Sequence, residues 1–135
     1  MHRLILLILT LMLSGRMMTL LFIARAGRGA PGDPPLGWLM PLIGDAVIGL
    51  TGLVVALLVW KARGLAAWTA IIVWNAVAIW DALSAYIVSR TDPWPEFFML
   101  QIFGASMFFM ASAMHALSIW IAAHPDFRQR FLGAS

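Results

Sequence analysis

Four apolar stretches dominate the chain, over residues 4–24, 38–60, 65–89 and 96–123. A helix that crosses a bilayer needs about 20 mainly apolar residues, and each stretch reaches that length. Proline is absent from their centres. A strand-based alternative would need a closed barrel and an alternating polar pattern, which the chain lacks. The sequence therefore reads as all-α, an integral membrane antiparallel four-helix bundle, with residues 1–135 forming a single transmembrane domain.

Composition supports this reading. Hydrophobic residues make up 62% of the chain and charged residues 11%, against about 45–50% and 25% in soluble domains. That excludes a soluble globule, a disordered tail and a nucleic-acid-binding module, so no nucleic-acid partner is expected. With no cysteine, disulfides, thiolate metal sites and cysteine nucleophiles are excluded. Neither a zinc-protease helix motif, a nucleophile elbow nor a phosphate loop occurs, and the chain does not read as an enzyme of a known motif class.

The links between stretches carry turn residues. Residues 25–37 are rich in Gly and Pro, which cannot continue a helix. Pro41 falls in the first turn of the second helix, where a missing N–H costs least. The link Lys61, Ala62, Arg63, Gly64 is short, so the second and third helices are expected to be neighbours. Arg3, Lys61, Arg63, Arg128 and Arg130 fall on one side of the bundle, against Arg25, Arg28 and Arg90 on the other. Five against three predicts N-in, C-in. His2, Arg3 and the Ala24-Arg25-Ala26 run imitate a signal peptide, but Arg16 breaks its core, and the first stretch is read as retained. The tail with Asp126, Arg128 and Arg130 reads as solvated.

Ionisable groups inside a bilayer are costly, at least about 2.5–3.5 kcal/mol at a helix centre, so they are expected to face one another or a wet cavity. At 1.5 Å per residue, Arg16 and Asp81 each lie about 12 Å from the outer end of their helices, and Asp45 about 10 Å. Gln101 and Ser84 come slightly nearer the outer surface. A second level holds His115, about 12 Å from the inner end, and Asn75, about 15 Å. These two are within reach of a hydrogen bond.

Helical faces agree with the depths. Asp45, Gly49, Gly52 and Ala56 form a small-residue stripe that permits close backbone approach, open to use within the chain or in a homodimer. Gln101, Gly104, Phe108, Ala111, His115, Ser118 and Ala122 form a packing seam. One Arg beside two Asp leaves room for a proton shared by Asp45 and Asp81. The same three residues also make sense as a network that only fixes helix register.

No cofactor or metal is assigned. A bis-His haem would need a second His at the depth of His115, and His2 and His124 lie at the edges. Met107, Met110 and Met114 suit Cu(I), but methionine stripes serve more often as packing. Trp38, Trp60, Trp94 and Trp120 are expected at the membrane interface; Trp74 and Trp80 flank the polar residues of the third helix.

Arg16, Gly44-Asp45, Trp74-Asn75 with Asp81, and His115-Ala116-Leu117-Ser118 together resemble an uncharacterised family of small bacterial four-span membrane proteins. Its pattern is an Arg in span one, G-D in span two, W-N and then Asp in span three, and a His in span four. The resemblance covers nearly the whole chain and implies a fold and a bacterial inner (plasma) membrane, not an activity. Combined with the buried groups, the expectation is proton-linked binding or transport of a small solute through Arg16, Asp45, Asp81, Asn75, His115 and Gln101, with the lipid bilayer as surroundings. Two rivals stand beside it. One is an accessory or assembly subunit with a purely structural network. The other is an intramembrane enzyme on a lipid-like substrate, which needs an opening beside Asp81 bordered by Trp74 or Trp80.

Overall fold

A computed structural model describes residues 2–133, apart from the side chain of Arg130; that side chain, one of the five cations on the N-terminal side, lies outside the described residues. Among the described residues the regular structure is helical throughout: α1 (His2–Ser14), α2 (Leu20–Ile23), α3 (Leu39–Lys61), α4 (Leu65–Thr91), α5 (Phe98–Phe103), α6 (Ser106–Ala123) and α7 (Pro125–Leu132). A 3₁₀ turn over Gly15–Thr19 joins α1 to α2, and another over Leu36–Trp38 leads into α3. Four helical segments are long and apolar enough to cross a membrane: His2–Ile23, Leu36–Lys61, Leu65–Thr91 and Ser106–Ala123.

Local chemistry explains the two irregular places. In α1 the hydroxyls of Thr10 and Ser14 donate back to the carbonyls of Leu6 and Thr10, each at 2.8 Å. Such back-bonding loosens and bends a helix. Gly15 follows directly and opens the five-residue 3₁₀ turn. The fourth stretch, expected as one helix over 96–123, is broken at Gly104. Its φ of +54° is open to glycine at little cost. The 18 residues of α6 then extend only about 27 Å.

Each long helix packs on the next in chain order, and α6 closes on α1. The inward faces are built from small residues: Gly49, Gly52 and Ala56 on α3, and Ala78, Ala82 and Ala85 on α4 are buried. A methyl added to Gly49 would overlap the backbone of Met17, and one added to Gly52 would meet Ser14 and Trp74. The small-residue stripe is therefore used within the chain. Large apolar side chains, among them Leu21, Val54, Leu57, Val77, Trp80 and Trp120, cover the outside. So broad an exposed apolar surface is foreign to a soluble monomer.

One end of the molecule gathers the start of α1, the 61–64 link and α7. Arg3 Nε donates to Val59 O at 2.5 Å, Gly64 N to Phe131 O at 3.0 Å, and Trp68 Nε1 to Ala122 O at 2.8 Å. The tail is not merely solvated. Phe127 and Phe131 are buried in the core, and only the opposite face of α7 is polar. At the other end, Trp38 and Trp94 are 3% and 2% exposed, so these two rings pack inside the protein instead of facing outward. The Trp94 ring stacks on Phe97 at 4.7 Å. Trp38 Nε1 donates to Asp92 O at 2.7 Å, so the Pro93-Trp94-Pro95 corner folds over the helix ends. Trp60 and Trp120 remain exposed.

Candidate functional site: an ion network beside an apolar cavity

The 3₁₀ turn places Arg16 so that its side chain crosses between the helices. Its Nε donates to Asp45 Oδ1 on α3 at 2.5 Å, and its Nη2 to Asp81 Oδ2 on α4 at 2.5 Å; Nη2 also pairs with Asp45. Nη1 points at Ala78 O, 3.5 Å away. The three side chains are only 15%, 23% and 15% exposed. Three helices are thus joined through one guanidinium, whose planar fork suits this bridging.

Two neighbours make the network possible. A Cβ at Gly44 would overlap Asp81 Oδ1, so Gly44 leaves the room that the carboxylate occupies. Thr19 fastens the 3₁₀ turn, donating to Arg16 O at 2.8 Å and to Leu42 O at 3.2 Å. The Gly44-Asp45 pair therefore has a physical meaning: one residue supplies the charge, the other the space for its partner.

Asn75 and His115 are both 0% exposed. The Asn75 amide Nδ2 donates to Ile71 O at 2.9 Å, which turns its Oδ1 toward His115 Nδ1 at 2.8 Å. Asn75 Oδ1 can only accept, so Nδ1 carries the proton and Nε2 holds a lone pair. That Nε2 is buried without a partner. Trp74 stands edge-on to the imidazole at 5.2 Å and donates from Nε1 to Thr51 Oγ1 at 3.1 Å.

Beside the charged network lies a cavity of about 530 Å³ that is open to the outside along Met12, Phe98 and Met110, within the usual size of small-molecule sites, about 300–1,000 Å³. Arg16, Asp45 and Thr19 form its polar edge, and Met12, Phe22, Phe98, Met107, Met110 and Met114 are among its apolar walls. The break at Gly104 gives it room, because α5 leaves the line of α6 and contributes Phe98 and Phe103 to the far wall. Asp81, Asn75, His115, Trp74 and Trp80 are not among its lining residues. Trp80 faces outward, 75% exposed.

Five of the six expected residues thus fall into two groups, Arg16–Asp45–Asp81 and Asn75–His115. Gln101 joins neither. It is exposed and donates from Nε2 to Pro95 O at 2.9 Å, because the turn at Gly104 breaks the seam expected to carry it inward. Sequence reasoning allowed for a wet cavity, or an opening beside Asp81, but missed the apolar walls and the place of this one beside Asp45; the signal for it was Gly104 followed by three methionines on α6. No protein-family model, curated protein or solved structure matches the chain.

Proposed function

We propose that the chain is a small bacterial inner-membrane protein, an antiparallel bundle with both termini inside, that binds a small solute in exchange for a proton at Arg16, Asp45 and Asp81. Its apolar exterior and the meeting of the N-terminal residues, the 61–64 link and α7 at one end support this placement. Membership of the bacterial four-span family rests on the Arg16, Gly44-Asp45, Trp74-Asn75, Asp81 and His115 pattern, and the partnerships of these residues give that pattern a purpose.

One observation carries the functional reading: a single guanidinium faces two carboxylates, and one of them, Asp45, borders an apolar cavity. With both carboxylates ionised the network has a formal charge of −1. An uncompensated charge in such surroundings is expensive, so the site holds a proton or another cation. A molecule with an apolar body and one positive head matches the cavity. Its body meets methionine and phenylalanine walls, its head gains aromatic faces and Asp45, and the proton leaves as the head arrives. His115 Nε2 is a second buried acceptor, set apart from the cavity.

The test is equilibrium binding of tetraphenylphosphonium to the purified protein in lipid nanodiscs. Saturable binding is expected, weakening by up to about tenfold per unit of acidification where one proton is displaced, and lost in Asp45→Asn. Absence of binding, or binding indifferent to both pH and Asp45→Asn, overturns the reading. A second reading has its own support, because Arg16 is paired with both carboxylates and ties three helices together. In that case the protein is an accessory or assembly subunit. Asp45→Asn and Asp81→Asn would then lower the melting temperature and leave proton flux in vesicles unchanged.

A further inference from the structure

The end of the molecule opposite the Trp38–Trp94 cluster brings together three metal-ligating side chains that the Arg16 network does not use. His2 comes from the first turn of α1, His124 is the corner residue between α6 and α7, and Asp126 lies in the first turn of α7. The imidazole rings of His2 and His124 are 4.9 Å apart. His124 Nδ1 lies 3.9 Å from Asp126 Oδ2. One ligand atom from each of the three residues falls within 4.8 Å of the others. His124 Nδ1 is buried and has no hydrogen-bond partner, an unmet need that polar groups inside proteins seldom carry. The corner is held in place from three sides. Pro125 opens α7, where its fixed φ suits the first helical position. Trp120 packs edge-on to His124 at 5.8 Å, and Phe127 anchors α7 in the core.

We propose that His2, His124 and Asp126 bind one divalent transition metal ion of the zinc type, which clasps the start of α1 to the α6–α7 corner. Two imidazoles and one carboxylate are a borderline donor set, suited to zinc and poorly suited to magnesium or calcium. Zinc–ligand bonds of about 2.0–2.2 Å in a tetrahedron need donor atoms about 3.3 Å apart. The observed spread closes to that by side-chain rotation, since His2 and His124 are half-buried and Asp126 is exposed. The fourth position is left to water or another small ligand. The clasp lies apart from the Arg16 network and stands or falls without it.

The experiment uses the full chain in detergent with any histidine tag removed. Zinc chloride is titrated by calorimetry, and the melting temperature is followed with and without a chelator. One zinc per chain is expected, with a chelator-reversible rise in melting temperature and no displacement by millimolar magnesium. His2→Gln, His124→Gln and Asp126→Asn should each weaken binding by about tenfold or more, because losing even an outer-sphere partner of a metal ligand typically costs 10–100-fold. Glu96→Gln, exposed beside the Trp94 corner at the other end of the molecule, should leave zinc affinity unchanged. His2→Gln and Asp126→Asn change partly exposed side chains, so they report even where the His124 variant fails to fold. No saturable binding, binding untouched by His2→Gln and Asp126→Asn, or displacement by magnesium would overturn the proposal.

Discussion

The two polar groups inside this molecule solve the same problem in different ways. Asn75 and His115 are neutral, fully sealed and satisfied by one another and by Ile71 O, except for a single imidazole nitrogen. Arg16, Asp45 and Asp81 are charged, draw on three helices and keep 15–23% of their side-chain surface. A neutral pair can be closed off at modest cost because one hydrogen bond answers each group. A charged set needs several partners and some outlet, and here that outlet is the cavity edge. Under the proposed function the contrast sets a role in packing for the neutral pair against a role in binding for the charged one.

The sharpest way to break that contrast is Arg16→Leu. It leaves two carboxylates facing each other with no cation. Removing one partner of a buried ion pair costs about 3–5 kcal/mol, so thermal unfolding in detergent should show a larger loss than for Gly49→Ala or Asn75→Leu. Adding Asp45→Leu and Asp81→Leu should return most of that stability, because apolar replacement of a whole buried ionic set is often neutral or better. The same triple variant should bind no lipophilic cation. Recovery of both properties would erase the distinction between the two groups.

Next in size is Gly49→Ala. Its methyl would strike the backbone of Met17 in the 3₁₀ turn that presents Arg16. Backbone gives way less readily than a side-chain end, and overpacking costs about 1–3 kcal/mol. Because the shift is transmitted to Arg16, cation binding should weaken along with the melting temperature. A variant that loses stability and keeps its affinity would uncouple the turn from the site.

Asn75→Leu probes the neutral group. It strands the His115 Nδ1 proton, at about 1–3 kcal/mol for a buried unsatisfied donor. Combining it with His115→Phe should recover most of the loss, read as a double-mutant cycle of melting temperatures. Cation affinity should stay as it was throughout, since neither residue lines the cavity. A change in affinity would mean that the two groups communicate.

The same contrast bears on what could be read from the sequence. The four helices were legible because length and apolar content suffice for a stretch to qualify as a span. The pairing of Arg16 with Asp45 and Asp81, and of Asn75 with His115, was legible from depth alone, since charge on an apolar helix has few places to go. Which side of each helix turns inward was harder. α3, α4 and α6 are apolar nearly all round, so small residues such as Gly49, Gly52 and Ala78 mark the inside better than large ones do. The burial of Trp38 and Trp94 and the docking of Phe127 and Phe131 escaped sequence reasoning because they depend on how chain ends fold back over the helices. No periodicity within a helix carries that information.

Gln101 marks where depth ceases to be a guide. It stands close to the level of the charged group along the chain, yet the left-handed glycine at position 104 separates α5 from α6, and the amide turns to Pro95 O at an exposed position. An exposed polar residue away from any such network usually shifts stability by less than about 0.5 kcal/mol. Gln101→Ala should therefore leave both the melting temperature and cation affinity nearly unchanged. Gly104→Ala is its partner experiment, because an alanine forced to φ +54° carries backbone strain of about 1 kcal/mol or more. If α5 straightens into line with α6 to relieve that strain, the cavity loses its far wall and affinity falls while the Arg16 network persists. Loss of affinity in Gln101→Ala instead would place that side chain at the site and restore the unbroken seam that the glycine interrupts.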